Sequence, residues 1–254
     1  MLRLLLSGCN GRMGRAVAAL CARSGDVEIA AGIDLLGPSE GPFPVYSSPA
    51  LFDAPADVAV DFSAPAALEG LLALCLERRL PLVLATTGHT GEQLAALRDA
   101  TRQIPLFHAA NFSLGVSLLS ALVRRSAALL GPEWDIEIVE RHHRSKADAP
   151  SGTALLLAEA AAQGLPQPPR LVCGRAGVRR KREAGEIGVS SVRAGGIAGD
   201  HEVLFAAPDE VLILRHTALS REVYASGALR AARFLAQDRR PGLYSMEDLL
   251  GPVL

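Results

Sequence analysis

Short apolar runs alternate with helix-spaced apolar positions along the first half of the chain. The strand-like runs are Met1–Ser7, Val27–Ile33, Asp57–Phe62, Leu82–Thr86 and Ile104–His108. Helical spacing lies between them, at Arg12–Arg23, Pro65–Arg79 and Gly91–Arg102. Because continuously apolar strands are buried on both faces, this alternation predicts a parallel sheet covered by helices.

The second half of the chain follows a different pattern. Helices are predicted at Leu114–Leu130 and Ser151–Ala162, with an alternating strand at Trp134–Glu140 between them. The remaining elements are three strand-like runs without helices between them, Ile187–Val192, Glu202–Phe205 and Val211–Arg215, and a closing helix, Val223–Gln237. We therefore predict an α/β protein. We expect a Rossmann-like parallel-sheet domain over residues 1–111 and an α+β domain over residues 112–221, and the closing helix, in residues 222–254, is long enough to return to the first domain.

Composition and net charge exclude some classes of protein and argue against some binding partners. The 254 residues are 49% hydrophobic, and 26 basic residues against 27 acidic ones give a net charge of −1. This composition excludes a disordered chain, and the charge argues against nucleic acid or an anionic membrane as a partner. Met1–Leu6 is too short for a signal-peptide core, and the longest uncharged stretch, Gln103–Val123, is broken by proline and glycine. We expect a soluble, cytoplasmic protein.

Two further expectations concern cysteine and a basic run. The four cysteines are scattered without metal-ligand spacing, so we expect buried apolar residues and no metal site. The basic run Arg179–Arg182, between two glycines, is typical of a solvated loop.

The first apolar run leads into a glycine-rich turn and then a helix. The turn Gly8–Gly14 reads G-C-N-G-R-M-G, one residue looser than the standard dinucleotide fingerprint. Glycine permits the tight turn and lets a pyrophosphate approach the helix N-terminus. A plain strand–helix turn is the alternative. Asp34, which lies 20 residues past Gly14 at the end of the second strand, favours a dinucleotide site because its carboxylate can accept hydrogen bonds from ribose hydroxyls.

Asp34 also indicates which dinucleotide is bound. The three residues after it, Leu35, Leu36 and Gly37, offer no cation to a 2′-phosphate, so we expect NADH to be preferred to NADPH. Two later strand ends, Ala85–Gly88 and His108–Phe112, carry hydroxyls, an amide and an aromatic ring that suit a nicotinamide and its ribose. Ordinary turn chemistry explains those residues equally well.

The segment 140–154 concentrates basic side chains before a helix start. Five of the six positions 141–146 are Arg, His or Lys. Ser151 is a good helix N-cap, and the N–H groups of Gly152 and Thr153 would then point at an anion. His142 or His143 could exchange a proton near neutral pH. A solvated loop with a good cap is the alternative, whereas zinc is not expected because adjacent histidines on a strand point to opposite faces.

On these residues the chain resembles the 4-hydroxy-tetrahydrodipicolinate reductases (dihydrodipicolinate reductases) of bacterial diaminopimelate and lysine synthesis. The segment E-R-H-H-R-S-K-A-D-A-P-S-G-T-A looks like the family signature. The motifs G-C-N-G-R-M-G-R, A-T-T-G, A-N-F-S-L-G-V and R-A-G-G-I-A-G-D-H match in family order, and the resemblance covers essentially the whole chain.

The resemblance implies the reduction of 4-hydroxy-tetrahydrodipicolinate to tetrahydrodipicolinate, with hydride from NAD(P)H and loss of water. It implies a central domain that binds this small dicarboxylate and forms a homotetramer through its sheet. His142 would be the proton donor or acceptor and Lys146 a second proton donor. The substrate contacts would be His143, Gly152 and Thr153. The cofactor contacts would be Gly8, Cys9, Asn10, Gly11, Arg12, Met13, Asp34, Ala85, Thr86, Thr87, Ala109, Ala110, Asn111 and Phe112.

The chain departs from the family pattern at three positions. Ala110 stands where many members have proline, Leu35 replaces a basic residue, and Gly196 replaces a common aspartate.

Two rival functions remain. One rival is another two-domain NAD-dependent dehydrogenase, acting on an aspartate-derived aldehyde or amino acid. The other is a dinucleotide-sensing module without catalysis, which would have no need for paired titratable groups.

Overall fold

The computed structural model describes residues 1–37, 41–177, 179–237 and 239–251. The chain forms two compact units. The first comprises Met1–Leu114 and Arg221–Pro252, and the second contains Gly115–Ser220.

The first unit is built on a seven-stranded parallel sheet. Its strands are β1 (Leu2–Ser7), β2 (Val27–Ile33), β3 (Val45–Tyr46), β4 (Val58–Asp61), β5 (Leu82–Leu84), β6 (Pro105–His108) and β12 (Gly242–Tyr244). They lie in the order β12-β6-β5-β4-β1-β2-β3, and every pair is parallel. The strand order reverses between β1 and β4, as in doubly wound dinucleotide-binding sheets. The predicted Rossmann-like fold is confirmed.

Helices cover both faces of this sheet, which explains its continuously apolar strands. They are α1 (Arg12–Arg23), α2 (Leu68–Arg78), α3 (Gly91–Ala100), α6 (Glu222–Leu235) and α7 (Met246–Leu250). Leu4 and Leu6 of β1 pack in one core cluster with α1 and α6, whereas Leu5 packs in the other with α2 and α3. Pro65 opens a separate 3₁₀ turn before α2, so the single predicted helix is two elements.

The second unit is a five-stranded mixed sheet with two helices. The strands are β7 (Asp135–His142), β8 (Arg170–Cys173), β9 (Glu186–Arg193), β10 (Gly199–Ala206) and β11 (Val211–Ala218), and the helices are α4 (Leu114–Leu130) and α5 (Gly152–Gly164). The strand order is β11-β10-β7-β9-β8. β7 is antiparallel to β10 and parallel to β9, so the predicted mixed sheet is correct.

The two faces of this mixed sheet differ in burial. Ile136 and Ile138 of β7 face a core shared with α4 and α5, which we call the inner face. Because strand residues alternate, Glu140 and His142 lie on the same inner face, and both are buried. The outer face carries exposed apolar residues, including Val192, Val211 and Ile213.

The basic run Arg179–Arg182 lies in the loop between β8 and β9 and is largely exposed, as predicted. It also makes ion pairs, since Arg180 pairs with Glu186 at 2.8 Å and Arg182 with Asp135 at 2.5 Å. The arginines around Glu186 hold the pKa of that carboxyl at about 2 through their hydrogen bonds. Cys173 is exposed, whereas the other three cysteines are buried as expected.

Strands β3, β8 and β12 and helix α7 are additional elements that the apolar pattern did not indicate. Over the described residues, no helix combines the length and the apolar character that crossing a membrane requires.

Candidate functional site

The glycine turn is shaped by close backbone contacts. Gly8 has a φ of +75°, and a Cβ there would lie 2.6 Å from the carbonyl oxygen of Phe62. A Cβ on Gly14 would lie 2.1 Å from the Gly8 carbonyl oxygen. Gly8 follows β1 and Phe62 follows β4, so the turn lies where the strand order reverses. Dinucleotides bind at that position in sheets of this kind.

The start of α1 suits a phosphate. Gly11 is the N-cap and makes no side-chain cap hydrogen bond, and the first turn holds no acidic residue. The helix dipole and backbone N–H groups of such a start attract an anion. Arg12 is exposed beside it, while Cys9 is buried and Met13 packs against the first core. Burial raises the pKa of the Cys9 thiol to about 11, so the thiol is neutral at pH 7.

Asp34 stabilises the same turn by accepting hydrogen bonds from backbone N–H groups. Its Oδ2 accepts a hydrogen bond from the Asn10 backbone N–H at 2.9 Å, and its Oδ1 accepts one from the Leu36 N–H at 2.9 Å. The Asn10 side chain donates to the Gly37 carbonyl at 2.9 Å. The structure therefore brings the acid and the glycine turn together, and it shows a bracing role for Asp34 that the motif did not indicate.

The ends of β5 and β6 contribute a buried hydroxyl and a ring. Thr86 is 6% exposed, and its Oγ1 is buried without a hydrogen-bond partner. Phe112 is buried against Phe107 and Phe62, with ring centroids 5.8 and 6.5 Å away. Asn111 Oδ1 accepts from the Ser113 N–H at 2.8 Å. A buried hydroxyl without a partner, at the carboxyl end of a strand in the same parallel sheet, fits a polar group of a bound nicotinamide dinucleotide.

In the second unit, one carboxylate joins His142 to the start of α5. Glu140 is completely buried, and its Oε2 lies 2.5 Å from His142 Nδ1. Its Oε1 accepts a hydrogen bond from the Ser151 backbone N–H at 3.2 Å. Arg193 donates to both oxygens, each at 2.8 Å. His142 and the helix start are therefore held side by side, although His142 and Gly152 are ten positions apart in the sequence.

These contacts keep Glu140 ionised. Burial alone would raise the pKa of the Glu140 carboxyl, but hydrogen bonds from Arg193, Ser191 and His142 lower it to about 2. The strand register explains the cluster, because Glu140 lies opposite Ser191 on β9 and His201 on β10, and His142 lies opposite Arg193.

The N-terminus of α5 has a capping side chain, and there is open space beside its first residue. The Ser151 side chain accepts a hydrogen bond from the Ala154 N–H at 3.2 Å, as expected of an N-cap. A Cβ built on Gly152 meets nothing within 4 Å, so the space beside this residue is open. A helix of 13 residues with no acidic residue in its first turn presents a favourable end to a carboxylate.

Lys146 and His143 lie in the loop between β7 and α5. The Lys146 backbone N–H donates to the His143 carbonyl at 3.1 Å, and its Nζ pairs with Asp148 at 2.7 Å. His143 Nδ1 is 2.8 Å from Ser145 Oγ. Arg193 ties this loop to the site through the Asp148 carbonyl at 2.5 Å.

The match to known proteins covers both units. The family described as "Dihydrodipicolinate reductase, N-terminus" matches residues 2–112, and "Dihydrodipicolinate reductase, C-terminus" matches residues 115–250. The chain belongs to the dihydrodipicolinate reductase family. It is an NAD(P)H-dependent oxidoreductase of lysine and diaminopimelate biosynthesis, which decides against a non-catalytic dinucleotide sensor.

Relatives of this family are similar over nearly their full length. The 4-hydroxy-tetrahydrodipicolinate reductase of Caldanaerobacter subterraneus subsp. tengcongensis is 46% identical over 98% of each chain. That of Zymomonas mobilis subsp. mobilis is 44% identical over 97% of this chain and 96% of its own. The solved dipicolinate-bound dihydrodipicolinate reductase of Paenisporosarcina sp. TG-14 has a TM-score of 0.81 at 26% identity, covering 96% of this chain and 97% of that one.

Sequence reasoning about this reductase missed three residues around His142. Glu140 contacts its Nδ1, Arg193 donates hydrogen bonds to Glu140, and the His201 ring lies 5.1 Å from the His142 ring. His201 Nε2 is 3.1 Å from Ser151 Oγ. The alternation of β7 could have revealed Glu140, because residues two apart on a strand share a face. Arg193 and His201 come from other strands, and only the register places them.

We expect the stability of the protein to fall as the pH decreases from 7 to 5, partly because of His201. Burial, followed by repulsion from His142, lowers the pKa of His201 from 6.5 to about 4. The unfolded chain therefore takes up a proton below pH 6.5, whereas the folded chain does so only near pH 4. The predicted loss from His201 is about 2 kcal/mol at pH 5. Urea unfolding at the two pH values measures it.

A matched variant separates His201 from other groups. Burial also lowers the pKa of His216 and of His108, so those residues contribute with the same sign. His201→Gln keeps a polar side chain beside Ser151 but cannot titrate, so its pH dependence should be flatter than that of the unmodified protein. An equally steep decrease in the variant would contradict the assignment to His201.

Proposed function

We propose that the cluster around His142 binds the dicarboxylate 4-hydroxy-tetrahydrodipicolinate and that the glycine turn binds NAD(P)H. The reaction is the reduction of that substrate to tetrahydrodipicolinate, with loss of water. The observation that carries the proposal is the Glu140 carboxylate, which holds a histidine and an open helix start side by side. A proton-exchanging group next to an anion site is what a dicarboxylate imine needs.

Substrate binding is assigned to the start of α5 and the loop before it. The N–H groups of Gly152 and Thr153 receive one carboxylate, and His143 contacts the substrate from the loop. Support comes from the open space beside Gly152 and from the relative of Paenisporosarcina sp. TG-14, which was solved with dipicolinate bound. Dipicolinate is a flat diacid with the carboxylate spacing of the proposed substrate.

Proton handling is assigned to His142 and Lys146. His142 presents Nε2 to the substrate because Nδ1 is held by Glu140. The Lys146 ammonium supplies a second proton, and it stabilises negative charge that develops on the ring. The pair between Lys146 and Asp148 is partly exposed, so substrate can replace it at little cost in free energy.

Cofactor binding is assigned to the first unit. Gly8, Asn10 and Gly11 with the start of α1 receive the pyrophosphate, and Asp34 the adenosine ribose. Thr86 receives the nicotinamide end, together with the neighbouring strand-end residues. The remaining residues proposed for this site are Cys9, Arg12, Met13, Ala85, Thr87, Ala109, Ala110, Asn111 and Phe112. When bound, the reduced nicotinamide supplies the hydride.

We expect a higher kcat/KM with NADH than with NADPH. The carboxylate of Asp34 would repel a 2′-phosphate, and its neighbours Leu35 and Leu36 are exposed but carry no charge to offset that repulsion. The measurement is the ratio of kcat/KM for the two cofactors at one ionic strength. A clear preference for NADPH would show that the proposed role of Asp34 in selection is wrong.

Assembly as a homotetramer is proposed through the outer face of the second sheet. Exposed Val192, Val211 and Ile213 form an apolar surface there, and burying such a surface favours association. Sedimentation of the protein should give four times the chain mass, and Ile213→Lys should lower it. A single-chain mass for the unmodified protein would contradict the proposal.

The remaining proposals concern domains and location. Residues 1–111 and 222–254 are proposed as the dinucleotide-binding domain, and residues 112–221 as the substrate-binding and tetramerisation domain. The enzyme is proposed to act in the cytoplasm.

The overall function is tested by the absorbance of NADH in the presence of enzymatically generated substrate. An active reductase consumes NADH at a rate that depends on both concentrations. Unchanged absorbance with folded protein would contradict the proposed reaction.

A further inference from the structure

We propose that Glu140 is a positioning residue that fixes which nitrogen of His142 exchanges a proton and couples that nitrogen to the anion site of α5. The inference rests on the proposed role of His142. It adds that Nδ1 of His142 is always held by Glu140, so Nε2 is the nitrogen that exchanges the proton.

The contacts of Glu140 mean that its carboxylate can only accept a hydrogen bond from His142. Oε2 receives His142 Nδ1 and one Arg193 nitrogen, and Oε1 receives the Ser151 N–H and the other Arg193 nitrogen. A fully buried carboxylate held by a guanidinium stays ionised and can only accept hydrogen bonds. His142 Nδ1 must therefore carry a hydrogen and donate it.

This assignment leaves Nε2 of His142 as the nitrogen that can gain or lose a proton. A Cβ built on Gly199 would lie 3.3 Å from Nε2, so the glycine at this position leaves room next to the nitrogen. The neutral His142 ring then offers a lone pair at Nε2, and the protonated ring offers a donor there.

Two opposite charges lie close to His142. Glu140 on β7 contacts its Nδ1, and Arg193 on β9 pairs with Glu140. His201 on β10 stays neutral at pH 7 because burial lowers its pKa to about 4. In the loop that leads to α5, the Lys146 charge is paired with Asp148. Removal of either Glu140 or Arg193 alone should therefore shift the titration of His142, in opposite directions.

The same carboxylate connects proton exchange with anion binding. Glu140 accepts from Ser151, and Ser151 caps the helix whose next two residues are proposed to bind the substrate carboxylate. A displacement of Glu140 would therefore change the position of both His142 and the helix start. We expect Glu140 variants to change kcat and substrate KM together.

The test compares Glu140→Gln and Arg193→Gln with Glu137→Gln as the matched control. Glu137 is on the same strand and pairs with Arg175 at 2.7 Å, but it lies on the outer face. NMR titration of the His142 ring in the full-length protein should show a midpoint about one pH unit lower in Glu140→Gln and higher in Arg193→Gln. Glu137→Gln should leave the midpoint unchanged.

Nitrogen chemical shifts of neutral His142 give a second readout that needs no activity. The unmodified protein should carry the hydrogen on Nδ1, and the limb of the kcat–pH profile that reports His142 should move with the NMR midpoint. If Glu140→Gln does not fold, the double variant Glu140→Gln/Arg193→Gln removes both charges together. Its midpoint should lie between those expected for the two single variants.

Three results would overturn the inference. They are a hydrogen on Nε2 in the neutral unmodified protein, an unchanged midpoint in Glu140→Gln, or shifts of the same sign in both single variants. Failure of the underlying role is distinguishable, because His142→Ala would then keep its turnover whatever the titration of His142 shows.

Discussion

Replacing His142 by alanine is expected to lower kcat on the order of 10²-fold, the usual contribution of a general acid–base group. The imidazole is buried and held by Glu140 at 2.5 Å, so its removal takes away a proton-exchanging group that is held in a fixed position. Steady-state rates of NADH oxidation at saturating substrate measure the effect. The binding of NADH, followed by fluorescence, should be unchanged, because the residues proposed to bind the cofactor lie in the first unit.

His143→Ala is the informative comparison for this variant. His143 is proposed to contact the substrate rather than to move a proton, so its loss should raise the substrate KM more than it lowers kcat. Equal kcat losses in the two variants would argue against separate roles for the adjacent histidines. A normal kcat in His142→Ala would contradict the proton role.

Replacing Lys146 by alanine is also expected to lower kcat on the order of 10²-fold, because the variant loses both a proton donor and a fixed positive charge. Lys146→Arg separates the two contributions. Arginine keeps the charge but does not release a proton near neutral pH, so this variant should recover substrate affinity without recovering kcat. The measurement is the pair of kcat and KM for each variant.

Lys181 provides the matched control for Lys146. The chain has two lysines, and Lys181 is an exposed residue of the loop between β8 and β9. Lys181→Ala should leave kcat and KM unchanged. If Lys146→Arg had the full turnover of the unmodified enzyme, Lys146 would act through its charge alone, and its assignment as a proton donor would be wrong.

The fold was largely predictable because its strands and helices carry clear periodic patterns. α1 and β2 begin and end where the apolar pattern indicates, since Gly11 and Asp34 bound them with polar or flexible residues. The pattern missed β8 and β12, which have three or four residues and little buried surface. Short edge strands form through pairing with a neighbour, and a local pattern does not record that pairing.

Only the residues of the candidate site that are close to one another in the sequence could be predicted. The segment 140–154 indicated His142, Lys146 and the helix start, because these residues are close in sequence. Arg193 is 53 residues from Glu140, and its pairing depends on the parallel register of β7 and β9. The exposed loop at residues 179–182 was predicted, but its ion pairs were not, since the carboxylates that neutralise it come partly from β7.

The central claim is that the open start of α5 and His142 together receive a small dicarboxylate. A crystal structure of this protein with NADH and pyridine-2,6-dicarboxylate tests it most directly. The account predicts one carboxylate on the N–H groups of Gly152 and Thr153, with His142 Nε2 facing the ring of the diacid. A bound diacid that contacts neither the α5 start nor His142 would contradict the account.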